Sequence, residues 1–328
     1  MKALTVAKKE VADHMNSNTF LIVFGLMLLL TGATAFQGAQ SFQDQMDRFQ
    51  ESQNSDNERI GGFAPDKPSI LDAFTMLTQG VNFPLIGGLL ALLLSYNTVS
   101  GERDRNTLKL LTSYPLHRDS IISGKFIAGI FTLMVASAAA FMVASAIIIG
   151  MTGAAVTGTA AARILLMLGG TVLYMSCIYG LGTLLSTVFD DSSTALTGGV
   201  LALVISALVV PQMAFMISDV LVEDNEGTDI TVGEGSSGLS ESYEKRMNIQ
   251  NTVTKIFPTG SYGNFMQYMM GQDPSSIGIS TGGSEEAESE PSVMESLNSS
   301  LGNLGLLAGE AILFFGSSFV IFTRREIS

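Results

Sequence analysis

Six stretches of roughly twenty residues with almost no charge constrain this chain more than anything else in it. They cover about 18–37, 79–99, 120–150, 162–188, 195–217 and 302–322. At 1.5 Å of rise per residue, such a run crosses a ~30 Å hydrocarbon layer as a helix. Lipid offers no water to satisfy backbone polar groups, so a chain crosses it as helices or as a closed barrel. These runs do not alternate polar with apolar residues, which removes the barrel. The expectation is an all-α polytopic membrane protein with six transmembrane helices. Charged residues are 14% of the chain, well below the about 25% of soluble domains. The first run does not read as a cleavable leader, because no small-residue cleavage pattern follows Ala35-Phe36. The single cysteine, Cys177, lies inside the fourth run. It removes an internal disulfide and Cys-based zinc clusters, and reads as a small packing residue.

Basic residues set the orientation. Lys2, Lys8, Lys9, Arg103, Arg105, Lys109, Arg118, Lys125, Arg324 and Arg325 all fall in or beside the short segments that share a side with the N-terminus. Lys and Arg near span ends mark the cytoplasmic side, so both termini are expected inside a plasma membrane. The outer loops 38–78 and 218–301 are acidic, and the formal net charge is −13. Such acidity suits cation attraction or a halophile surface. The acids are dispersed among Ser and Gly and form no ligand cluster, which favours the halophile reading.

Residues 1–17 read as an interfacial helix, with Leu4, Ala7, Val11 and Met15 at helical spacing. Residues 18–217 hold the first five spans. The Ala-, Ser- and Gly-rich third and fourth spans are expected to face protein, since small residues let helices approach closely. Loop 38–78 can stay helical to about Ser52, before Gly61-Gly62, Pro65 and Pro68 forbid it. In 218–301, acidic Gly/Ser-rich linkers at 223–242 and 272–298 flank two short amphipathic helices, broken at Pro258-Thr-Gly260. These are expected on the outer membrane surface. Residues 302–328 are the sixth span and a cytoplasmic tail.

The loop between the second and third spans carries Ser100-Gly-Glu-Arg-Asp-x-x-Thr-Leu-x-Leu-Leu-x-Ser-x-Pro-x-x-Arg118. Thr107, Leu108 and Leu111 line one side of a short helix, with Arg105 and Lys109 beside them, and Pro115 ends it. An apolar stripe with basic flanks suits a groove on a soluble protein; an ordinary basic anchoring loop would look similar. This signature, followed by Gly124-Lys125, resembles that of the type-2 ABC transporter permeases. The likeness is strongest to the branch holding the permease of the nitrous-oxide-reductase maturation system. The resemblance implies that 101–112 is a coupling helix docking on a separate ATP-hydrolysing subunit. It places Gly101, Glu102, Arg103, Thr107, Leu108, Leu111, Pro115 and Arg118 in the coupling signature, with Glu102 and Arg103 at the junction. It also implies a second permease copy or homologue, and favours export. The other function kept open is a mechanotransmitter acting on an external partner through loop 218–301.

No Gly-x-x-x-x-Gly-Lys-[Ser/Thr] loop is present, so ATP and Mg²⁺ belong to the partner subunit and no cofactor is expected here. His14 and His117 form no ligand pair, no catalytic constellation stands out, and neither metal nor nucleic acid is expected. Asp190 and Asp191 read as a helix-capping turn or as a second cytoplasmic contact. Glu310 either lines a path or sits at the outer interface. Arg163 reads as a snorkelling anchor. Met266, Met269 and Met270 suit an apolar face better than a soft-metal site.

Overall fold

The computed structural model describes residues 2–54, 67–78, 82–101, 118–223, 237–272 and 291–324. Among them there is no strand, and five helices are long and apolar enough to cross a membrane. A bent pair, Ile70–Thr78 with Phe83–Ser95 at 45°, makes a sixth when counted as one broken span.

Helix α1 (Lys2–Met15) precedes α2 (Asn18–Asn54). The second span enters through a 3-10 turn (Ile70–Phe74) and α3 (Thr75–Thr78). It continues through a π segment (Asn82–Gly87) and α4 (Gly88–Ser95). The third and fourth spans are α5 (Arg118–Thr152) and α6 (Gly158–Val188). The fifth is α7 (Ser192–Val204), a second π segment (Ile205–Val209) and α8 (Val210–Glu223). Then come α9 (Ser237–Thr254), α10 (Pro258–Met269) and α11 (Val293–Arg324).

Local chemistry sets several boundaries. Asp191 Oδ2 accepts from the Thr194 amide at 3.0 Å and from its hydroxyl at 3.0 Å, capping α7. These bonds hold the Asp191 carboxyl below its ordinary range. Helix α11 begins at Val293, nine residues before the run of apolar residues that marks the sixth span. Ser292 and Glu295 form a capping box there, Ser292 N–H to Glu295 Oε2 at 2.8 Å and Glu295 N–H to Ser292 Oγ at 3.2 Å. Helix α9 starts at Ser237, inside the stretch that reads as linker to Ser242. Helix α2 is 37 residues long, about 55 Å, and projects past a ~30 Å layer. There Gln43 Nε2 donates to the Met151 carbonyl at 2.8 Å, tying α2 to the end of α5.

The core sits where α4 and α6 are surrounded by α2, α5, α10 and α11. Met27, Ala35, Leu90, Leu92, Ala140 and Tyr174 are fully enclosed in it. Small residues work as expected along α5 and α6. Ala136, Ser137, Ala140 and Ala144 are buried. A Cβ on Gly129 would overlap the Tyr179 ring, and one on Gly170 the Phe265 ring. Gly169, beside it, meets open space, so only one glycine of that pair is a packing requirement.

Helix α10 departs from expectation. It does not lie as a ribbon on the bundle; Tyr262, Phe265, Met266 and Met269 are buried against α6 and α11. Tyr262 stacks on Tyr174 with centroids 4.7 Å apart. Tyr174 lies near the middle of the 31-residue α6, about 24 Å from its start. Helix α10 is therefore a wedge reaching half-way down the bundle. Its apolar face is covered by protein, not by lipid, a distinction that periodicity cannot make.

Candidate functional site

The coupling signature leaves and re-enters the bundle at neighbouring points. Val99, before it, packs with Ile122, after it, and with Phe322 of α11. Ser186 of α6 fixes the departing stretch of chain. Its Oγ accepts from the amides of Val99 (3.0 Å) and Ser100 (3.1 Å) and lies 3.0 Å from Ser100 Oγ. On the returning side, Lys125 Nζ meets Glu10 Oε1 of α1 at 3.0 Å, and its carbonyl accepts from Tyr179 Oη at 3.1 Å. Burial pushes the neighbouring His14 imidazole below its ordinary value, with Glu10 opposing that shift. Phe126 stacks on Phe315 at 3.8 Å, and Ser318 Oγ donates to Thr183 O at 3.3 Å, locking α11 to the same end.

Of the predicted coupling residues, Gly101 closes the described part of the second span and Arg118 opens α5. Glu102, Arg103, Thr107, Leu108, Leu111 and Pro115 lie outside the described residues. What is described is the anchorage of both ends of 101–118, through a serine pair, an aromatic cluster and an ion pair. The sequence does not single out Ser186; nothing there distinguishes it from Ser176, the other serine of α6. Asp190 and Asp191 are both exposed at the α6–α7 turn near Ser186.

At the opposite end of α6 stands Arg163, only 3% exposed. It is no snorkelling anchor. Its guanidinium donates to the Met269 carbonyl at 3.2 Å and to the Pro291 carbonyl. The Met269 carbonyl is available because α10 ends in a Schellman motif. Gly271 has φ +81°, its N–H goes to Tyr268 O (3.1 Å), and Gln272 N–H goes to Gln267 O (2.9 Å). A buried cation at a helix C-terminus also complements its dipole.

The wedge grips both interrupted spans. Tyr174 Oη, backed by Tyr262, donates to Pro84 O in the first π segment at 2.6 Å. In the second π segment, the Val210 amide goes to Ile205 O, and the next residue, Pro211, has no amide. The Ser206 carbonyl is thereby left without a helical donor, and Thr259 Oγ1 of α10 supplies one at 2.8 Å. Ser206 Oγ returns a hydrogen bond to Thr259 Oγ1 at 2.6 Å. Thr259→Val should lower stability by about 1–2 kcal/mol by orphaning that carbonyl. Thermal melts in detergent should show Ser206→Ala, which keeps the carbonyl satisfied, to be milder. Equal losses would mean that carbonyl satisfaction is not what Thr259 contributes.

Glu310 sits near the middle of the 32-residue α11, half-buried, with Cys177 Sγ 3.8 Å from Oε2. It is not at a helix end. Among the described residues, no group of three metal-ligating side chains is found.

The model of the ABC-2 family transporter protein matches residues 4–327. The chain belongs to that family. It is 31% identical over 137 residues to the "Probable ABC transporter permease protein NosY" of Pseudomonas aeruginosa. That alignment covers 42% of each chain. It is 28% identical over 136 residues to the protein of the same name from Stutzerimonas stutzeri, covering 42% of this chain and 41% of the relative. The aligned stretch thus spans about two-fifths of the length of the curated relatives it matches. As in the expectation from the signature, this ABC-2 chain is a multi-span helical membrane protein.

Proposed function

We propose that this chain is the membrane permease of an ABC exporter, driven by ATP hydrolysis on a separate subunit that grips residues 101–112. The observation that carries this reading is the family match across residues 4–327. The anchored ends of 101–118 support it: a push on the segment reaches α6 through Ser100–Ser186 and α11 through Val99–Phe322. Packed helices then move as rigid bodies and switch access. In this reading a second permease copy or homologue completes the path. The N- and C-termini are cytoplasmic, in a cell membrane, because the basic residues gather on that side. Asp190 and Asp191 give a second contact to the motor, and Glu310 faces the path. A role as a mechanotransmitter is favoured by one observation, the wedge α10, which links the outer loop 218–301 to the fifth span through Thr259 and, by way of Tyr174 of α6, to the second.

Leu108→Asp with Leu111→Asp should abolish co-purification of the ATPase subunit, while the variant still inserts and elutes as a single species. A double variant that retains the ATPase would refute the assignment of 101–112 as the grip.

A further inference from the structure

Both interrupted spans border one cleft. It has a volume of about 210 Å³, far more than the about 15 Å³ that one water needs. Pro84 of the first π segment forms one wall, Ala207 and Pro211 of the fifth span another, and α10 the third. Ser206 lies half-way along the fifth span, residues Ser192–Val222. In membrane proteins, irregular backbone at this depth is tolerated where it is buried or lines a cavity. Paired broken helices near the midplane are where transporters bind solutes. Single π turns within α-helices concentrate at functional sites for the same reason.

The walls define what would fit. Thr78, Ser206, Thr254, Thr259 and Gln267 line the cleft, and among the described residues no charged side chain does. Thr78 and Thr254 spend their protons on their own helices, on Phe74 O (3.0 Å) and Gln250 O (2.9 Å). Their oxygens keep lone pairs to accept with. The Gln267 side chain makes no hydrogen bond to another described residue and can both donate and accept. An ion here would be desolvated without a counter-charge, and an apolar guest would strand these polar groups. We propose that this cleft binds a small, uncharged, polyhydroxylated solute, of sugar or polyol class. The inference rests on the transporter reading and gives the class of its cargo.

The test uses the purified full chain in lipid nanodiscs, without ATPase or nucleotide, so its outcome is independent of the coupling assignment. A Cβ on Gly263 meets nothing within 4 Å, and Cys177 is fully buried. Gly263→Cys therefore provides the cleft thiol, read by its rate of reaction with N-ethylmaleimide. Sorbitol or glucose, at about ten times its dissociation constant, should slow that rate about tenfold. Sodium glutamate and lysine should not. A control thiol from Ser299→Cys, on the exposed start of α11, should ignore all four. Gln267→Leu should restore the unprotected rate. Ala207→Cys gives the same reading from the opposite wall if the first variant folds poorly. A thiol that never reacts, that neither polyol protects, or that charged solutes protect equally overturns the proposal.

Discussion

Arg163→Met is expected to lower the stability of the folded chain by about 3 kcal/mol and to release the far end of α10 before the rest of the bundle. Two carbonyls, Met269 O and Pro291 O, lose a charged donor at a position only 3% exposed. A hydrogen bond from a charged group contributes about 1.5–3 kcal/mol, and a buried acceptor left unmade costs about as much as it had gained. The methionine fills most of the volume, so the loss reads the hydrogen bonds and not a cavity. Thermal melts in detergent measure the first effect, and protease cutting within 237–272 measures the second. Arg163→Lys should recover part of the loss, because one ammonium can reach a single carbonyl but cannot fork to two. A Met variant as stable as the parent would mean that the arginine does not hold the wedge.

Gly170→Leu should do damage of the same order. Even a Cβ at Gly170 would overlap the Phe265 ring, and Phe265 is 1% exposed within the core, with no free space to swing into. Overpacking a closed core costs about 1–3 kcal/mol for added methylenes, and a rigid ring cannot yield as a flexible chain end would. The wedge would be held off α6, breaking the Tyr174–Tyr262 stack and the Thr171–Tyr262 contact of 3.1 Å with it. A smaller side chain opposite restores fit: Gly170→Ala combined with Phe265→Leu should be more stable than the sum of the single losses allows. That non-additivity is the signature of a direct contact. Gly169→Leu is the control, since its Cβ direction is open; melting temperatures falling equally for both glycines would remove α10 from the core.

Several features are legible in the residues alone. Uncharged runs announce the spans, because hydrocarbon excludes charge whatever the neighbours do. The small residues of α5 and α6 announce protein-facing helices, and Asp191 announces a cap, since both are local requirements. The start of α11 is equally local but went unread: Ser292 and Glu295 stand at capping-box spacing inside the stretch 272–298 that reads as linker. Arg163 misleads because a basic residue at a span end looks the same whether it reaches water or two buried carbonyls. Helix α10 misleads similarly, since an amphipathic pattern says that one face must be covered and is silent on what covers it.

By itself, then, the sequence determined that this chain crosses a membrane as helices, and which short segments between them gather its cations. Those properties follow from the solvent and from neighbours in the chain. Tertiary structure alone decided that α10 drives into the bundle and that Thr259, 53 residues away from Ser206, repairs the carbonyl orphaned by Pro211. It alone brought two interrupted spans to the walls of one cleft. These depend on which groups meet across the fold, and a hydrogen bond between distant residues leaves no period in the sequence to read.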